Sequence, residues 1–179
     1  MRRANGCYYT EDPTKFYYVE YAGEYIPYSK MTYQLVAYSW DHWANKEISR
    51  VTGAEINHVA IRFNAFKTET YVSHKKTDTI VPSKVVTRMH GKPVWKGPKV
   101  LCGKAFIDRA LKWTNWWADN EPGNVWRCYA HHYIGRHIGL KSPWTCTKLC
   151  QRILREDGVN LNPEFYPHEL VREYIKRSY

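Results

Sequence analysis

No stretch of this 179-residue chain approaches the ~18 uninterrupted apolar residues of a membrane-spanning helix, so no transmembrane segment is expected. The opening residues Met1 to Cys7 lack the apolar core of a secretory signal, so export by the standard route is not expected either. Cysteine is scarce. Five, at positions 7, 102, 128, 146 and 150, make an odd, irregularly spaced set rather than a disulfide framework. That pattern fits a reducing, cytoplasmic compartment, which would be the host cytoplasm if the chain is viral. Acidic side chains are outnumbered, 17 Asp and Glu against 27 Lys and Arg, and the resulting formal charge of +10 favours anionic partners: phosphates, nucleic acid or an anionic membrane. Linkers, repeats and low-complexity tracts are missing too, which leaves a single domain over 1–179. What the chain has in quantity is aromatic mass, 15 Tyr and 8 Trp, far more than a disordered basic tail carries.

Periodicity outlines an α+β chain with a small antiparallel sheet and packed helices. Phe16 to Tyr21 reads as a strand. Met31, Leu35, Tyr38 and Trp43 recur at roughly helical spacing behind a possible cap at Ser29, and a second helical stretch spans Lys46 to Val51 before Gly53. His58 to Phe63 then alternates, with Val59, Ile61 and Phe63 on one face and His58, Ala60 and Arg62 on the other. Further strands are expected over Glu69 to His74, Thr79 to Val86 and Val100 to Cys102. Lys104 to Trp117 presents an apolar helical face, and Val125 to Ile138 offers a weaker one. A long helix capped by Ser142 and closed by Gly158 follows, and Pro167 opens a terminal one.

Cys146 falls in the first turn of the helix predicted from Ser142. The partial positive charge of a helix N-terminus stabilises a thiolate and is expected to lower the cysteine pKa from its usual ~8.5. His58 opens a strand and shares a face with the small Ala60, which leaves room for that helix to approach on the His58 side. A thiol beside an imidazole is the arrangement for nucleophilic attack with general-base assistance. A third group should orient the ring; His74 is the first choice, with Ser73 and Glu69 as alternatives. Against this stands the plain reading of Cys146 as one more small buried apolar residue beside Cys150.

Two segments resemble a known family. Asn57-His58-Val59-Ala60-Ile61-Arg62-Phe63 is similar to the His strand of circularly permuted papain-like proteins, the NlpC-type group with its YiiX-like and lecithin:retinol-acyltransferase-like members. Ser142-Pro143-Trp144-Thr145-Cys146-Thr147-Lys148-Leu149-Cys150, with Gly158 and then Tyr166-Pro167-His168-Glu169-Leu170, resembles that group's Cys helix, Gly and Pro-x-x-Leu. His precedes Cys, as in the permuted members, and the likeness covers about 46–175. The resemblance implies a permuted papain-like fold, Cys146 as nucleophile, His58 as general base, and hydrolysis or acyl transfer at an amide or ester through a Cys146 thioester. It implies a peptide, peptidoglycan-like or lipid acyl substrate and no cofactor; the third residue does not carry over cleanly.

Two other chemistries compete. Cys128, His131, His132, His137, Cys146 and Cys150 are zinc-ligand types, but they lack the paired close spacing of structural zinc, so no metal is expected. Lys75-Lys76 and Arg88 to Lys96 are basic but dispersed, and no nucleic-acid-binding signature accompanies them. The alternative function is therefore a catalytically inactive basic protein on the same fold that binds nucleic acid or another anionic partner. The oligomeric state is not encoded in any pattern of the sequence.

Overall fold

One antiparallel pair of strands organises the molecule. In a computed structural model, which describes residues 7–9, 16–19, 24–27, 31–41, 43–70, 80–102, 104–120, 130–135, 137–139, 145–162 and 166–178, strand β4 (Thr32–Tyr38) pairs with β5 (His58–Phe63) so that Tyr38 faces His58, Val36 faces Ala60 and Leu35 faces Ile61. In chain order they are preceded by β1 (Cys7–Tyr9), β2 (Phe16–Val19) and β3 (Glu24–Pro27), which form their own three-stranded antiparallel sheet. Helix α1 (Trp43–Thr52) joins β4 to β5, and Gly53, at φ 66°, ends it. After β5 come β6 (Thr68–Thr70), β7 (Ile80–Pro82), α2 (Ser83–His90), β8 (Trp95–Lys96) and β9 (Val100–Leu101). The larger sheet runs β7-β6-β5-β4-β8, with β9 also on β4. Three helices, α3 (Lys104–Asn120), α4 (Cys146–Arg155) and α5 (Pro167–Ser178), complete the described elements, with a π-helical turn at His131–Gly135 between α3 and α4.

The helix expected through Leu35 and Tyr38 is β4 instead, and the reason is burial. Every residue from Tyr33 to Tyr38 is buried, because both faces of this central strand are covered. A strand covered on both sides loses its polar alternation and reads as a continuous apolar run, which also matches a helix template. Similarly, the strand expected over Thr79 to Val86 stops at Pro82, and α2 takes the chain from Ser83. The helices expected at Lys46 to Val51, Lys104 to Trp117 and Pro167 onward correspond to α1, α3 and α5. Of the weaker one at Val125 to Ile138, 125–129 lie outside the described residues.

Two layers of side chains flank the sheet. Leu35, Ala37, Val59, Ile61 and Phe63 point into the main core, where they meet Phe106, Ile107 and Ala110 of α3, Leu149, Cys150 and Ile153 of α4, and Leu170 and Tyr174 of α5. Val36, Tyr38 and Ala60 point the other way and meet Val86 of α2. The C-terminal end of α4 is tied across this core: Tyr33 donates its hydroxyl to Asp157 at 2.6 Å, and Trp113 donates Nε1–H to Glu156 at 2.8 Å. Among the described residues no helix is long and apolar enough to cross a membrane.

Candidate active site

Helix α4 begins at Cys146. Thr145 has extended backbone angles (φ −130°, ψ 172°), and its hydroxyl accepts from the Lys148 amide at 3.4 Å, so Thr145 is the N-cap and Cys146 the first helical residue. The expected cap, Ser142, lies outside the described residues. Leu149, Cys150, Ile153 and Leu154 form the buried stripe, and Gly158, at φ 76°, closes the turn that follows.

The stripe fixes which side of the sheet the thiol meets. Cys146 and Cys150 lie one helical turn apart and pack into the core cluster that holds Val59 and Ile61, two residues apart on β5, whose backbones act to lower the pKa of the first and the second thiol respectively. A turn of helix rises about 5.4 Å and two strand residues about 6.7 Å, so helix and strand run nearly in step. The helix therefore packs on the Val59, Ile61 and Phe63 face. This corrects the expectation that it would sit on the His58 face, and side-chain size explains the difference: the larger apolar residues offer it more area to bury than Ala60 does.

Several nearby groups favour the Cys146 thiolate. The Val59 amide, the Thr147 hydroxyl and the amides of Thr147 and Cys146 all act to lower its pKa. Burial outweighs them, and the thiol is held above its ordinary value. The low-pKa thiolate expected from the helix N-terminus is thus not the resting state, because the same packing that brings the donors also removes water. Cys146 is nonetheless half-buried, while Cys102 and Cys150 are buried; burial pushes Cys102 up to about 12 and Cys150 well above its usual value.

His58 lies on the other face. Its imidazole is buried near Tyr38, Trp40 and His90, with ring centroids 6.0, 6.2 and 5.1 Å away. Asn57 anchors the approach to the strand: its amide side chain exchanges hydrogen bonds with the backbone of Trp40 and donates to Ser49. Burial, helped by the neighbouring His90, lowers the His58 pKa to about 3. Structure thus brings Cys146 against the backbone next to His58 but places the imidazole across the strand.

Of the three candidates for orienting His58, Ser73 and His74 lie outside the described residues. Glu69 shares the His58 face and is fully buried, but its carboxylate is committed elsewhere. It accepts from Arg62 Nε at 2.8 Å and from Tyr38 at 2.5 Å, while Arg62 also donates to the Tyr38 oxygen at 3.2 Å. Burial works against the Arg62 charge, and Glu69 overcomes it and raises the pKa. His90, missed in the sequence because it falls in what reads as a basic loop, is the titratable ring packed nearest to His58 among the contacts described. Among the described residues no group of three or more His, Cys, Asp or Glu side chains is arranged to hold a metal.

A neutral buried histidine makes stability depend on pH. Below its unfolded value of 6.5, the unfolded chain binds a proton that the folded chain refuses down to about 3, so stability falls as pH drops through that window. His58 alone should remove about 2 kcal/mol between pH 7 and pH 5. Urea unfolding at the two pH values, on the wild type and on His58→Gln, checks this. An equal acid loss in both proteins would refute it.

No family model, no curated protein and no solved structure matches the chain.

Proposed function

We propose that this protein is a thiol-dependent hydrolase or acyltransferase with a permuted papain-like, NlpC-type fold, acting on an amide or ester carbonyl through a Cys146 thioester, with His58 as general base. The observation that carries this reading is a cysteine at the first residue of a helix, less buried than Cys102 and Cys150, with the backbone amides of Val59, Thr147 and Cys146 acting to favour its thiolate. The Cys150 thiolate is also favoured by Thr70 and Ile61, but its 1% exposure closes it to substrate. Of Cys102, Cys146 and Cys150, Cys146 is the least buried.

In the reaction, the thiol gives its proton to the imidazole as sulfur bonds to the carbonyl carbon and the π electrons move to oxygen. Collapse expels the amine or alcohol, which takes the proton from the imidazolium. Water or another acceptor then attacks the thioester, losing a proton to the base, and the thiol is restored. Both resting groups are neutral near pH 7, so proton transfer accompanies attack rather than preceding it. His58 is the first residue of β5, and the reading requires its ring to come round the end of the strand when substrate binds. Peptide, peptidoglycan-like and lipid acyl groups are the substrate classes that fit.

Trapping the acyl-enzyme tests the reading. Incubation with a short-chain activated ester at pH 7.5, followed by peptide mapping, should place the acyl group on Cys146, and hydroxylamine should remove it. Equal labelling of Cys102, Cys146 and Cys150 without turnover would reject it.

One observation favours a second reading. Because the imidazole sits across the strand from the thiol, the same fold also suits a catalytically inactive, basic binding protein, with exposed Lys46, Lys84, Lys96, Arg155 and Lys176 meeting nucleic acid or another polyanion. On that reading, polyanion binding weakens steeply with salt and no acyl adduct forms.

A further inference from the structure

A cavity of about 420 Å³ lies at the end of α4 away from the thiol, and the acyl chemistry does not use it. Asp157 and Val159, just past that end, line it together with Tyr33 of β4, Val100 of β9, and Tyr174 and Arg177 of α5. Helix α4 is ten residues long, about 15 Å, which separates the cavity from Cys146.

Two aromatic side chains form fixed walls. The Tyr33 ring stacks on Phe106 with centroids 4.5 Å apart and its hydroxyl donates to Asp157 at 2.6 Å, while Tyr174 is 4% exposed and packs its ring against Trp95. The two charges are opposite in sign. Asp157 supplies a carboxylate, and Arg177, three residues beyond Tyr174 on the same side of α5, supplies a guanidinium. Neither enters an ion pair among the described residues, with the other or with a third group. A ligand of one sign would meet a like charge at one of them; a ligand carrying both signs meets a complement at each.

We propose that this cavity binds a free apolar α-amino acid as its zwitterion, with the ammonium on Asp157, the carboxylate on Arg177, and the side chain against Tyr33, Tyr174, Val100 and Val159. The planar guanidinium matches a carboxylate with two parallel N–H donors, and an ammonium is held by a carboxylate set among aromatic rings. Burial, and then the charge of Asp157, raise the Tyr174 pKa, so the carboxylate's negative field reaches the wall that the ammonium would face. Because the walls and the Tyr33 hydroxyl are already packed, little ordering is required when the ligand enters.

Calorimetric titration of the full chain tests this with L-leucine and L-phenylalanine, and with N-acetyl-L-leucine and L-leucinamide, which lack the ammonium and the carboxylate respectively. One of the two free amino acids should bind saturably, and removing either ligand charge should weaken leucine binding roughly tenfold or more. Arg177→Gln should weaken the free amino acid by a similar factor but leave L-leucinamide unchanged; Asp157→Asn should do the same with N-acetyl-L-leucine as the insensitive ligand. Arg177 is exposed, so its variant should melt as wild type does. No saturation by either amino acid below about 10 mM, equal binding of leucine and its two blocked forms, or full affinity in Arg177→Gln would each overturn the proposal. The same titration on Cys146→Ser should give the wild-type result, which keeps this site independent of the thiol reading.

Discussion

Cys146→Ser is expected to reduce turnover by ~10³-fold or more while leaving the melting temperature within a few degrees of wild type. A serine hydroxyl is scarcely ionised near neutral pH and does not supply the attacking anion that a cysteine does. The fold, by contrast, has little reason to notice. Position 146 is half-buried, and the backbone amides that favour the thiolate can serve an oxygen as well, so the stability change should stay within about 1 kcal/mol. Steady-state kinetics and thermal melts on the same preparations separate the two quantities. A variant that melts normally and works normally rejects the thiol mechanism and leaves the polyanion-binding reading. One that loses stability and activity in proportion identifies Cys146 as packing alone.

The largest loss of stability is expected on the opposite face of the sheet. Glu69 is completely buried, its partner Arg62 has a side chain only 16% exposed, and the Tyr38 hydroxyl joins both. Glu69→Ala removes the sole carboxylate in that network and leaves a guanidinium charge with little water, at a cost of about 3–5 kcal/mol. Tyr38→Phe deletes only one donor to a charged group and should cost about 1.5–3 kcal/mol. The paired substitution Arg62→Met with Glu69→Leu should recover much of the loss, because what destabilises the single variant is the stranded charge rather than the missing attraction. Urea unfolding of the three proteins measures this, and a Glu69→Ala loss below 1 kcal/mol would contradict the buried network.

These two sites lie on the two sides of β5, and the sequence showed one side better than the other. Val59, Ile61 and Phe63 alternate with His58, Ala60 and Arg62, so the strand and both its faces were legible from a period of two. Cys146 was legible as a helix-start cysteine because capping residues, apolar stripe and Gly158 all lie within a dozen positions of it. Strand β4 was not, since burial on both sides erases alternation and leaves a pattern that a helix shares. The cap at Thr145 was not singled out because serine and threonine are both good caps, and propensity does not choose between neighbours of the same type. His90 gave no signal at all: a histidine among basic residues is ordinary until something packs against it.

By itself, then, the sequence determined the α+β character, the basic surface, the strand at His58 and the helix at Cys146, all of which follow from local composition and periodicity. Only the tertiary structure decided that α4 lies against Val59 and Ile61 rather than against Ala60, that the imidazole is consequently neutral and across the strand, and that Glu69 serves Arg62 and Tyr38 instead of His58. The physical reason is common to all three. Which face of a strand receives a helix depends on how much apolar area each face can bury once every other element has docked, and that sum runs over residues more than a hundred positions apart, from Leu35 to Tyr174.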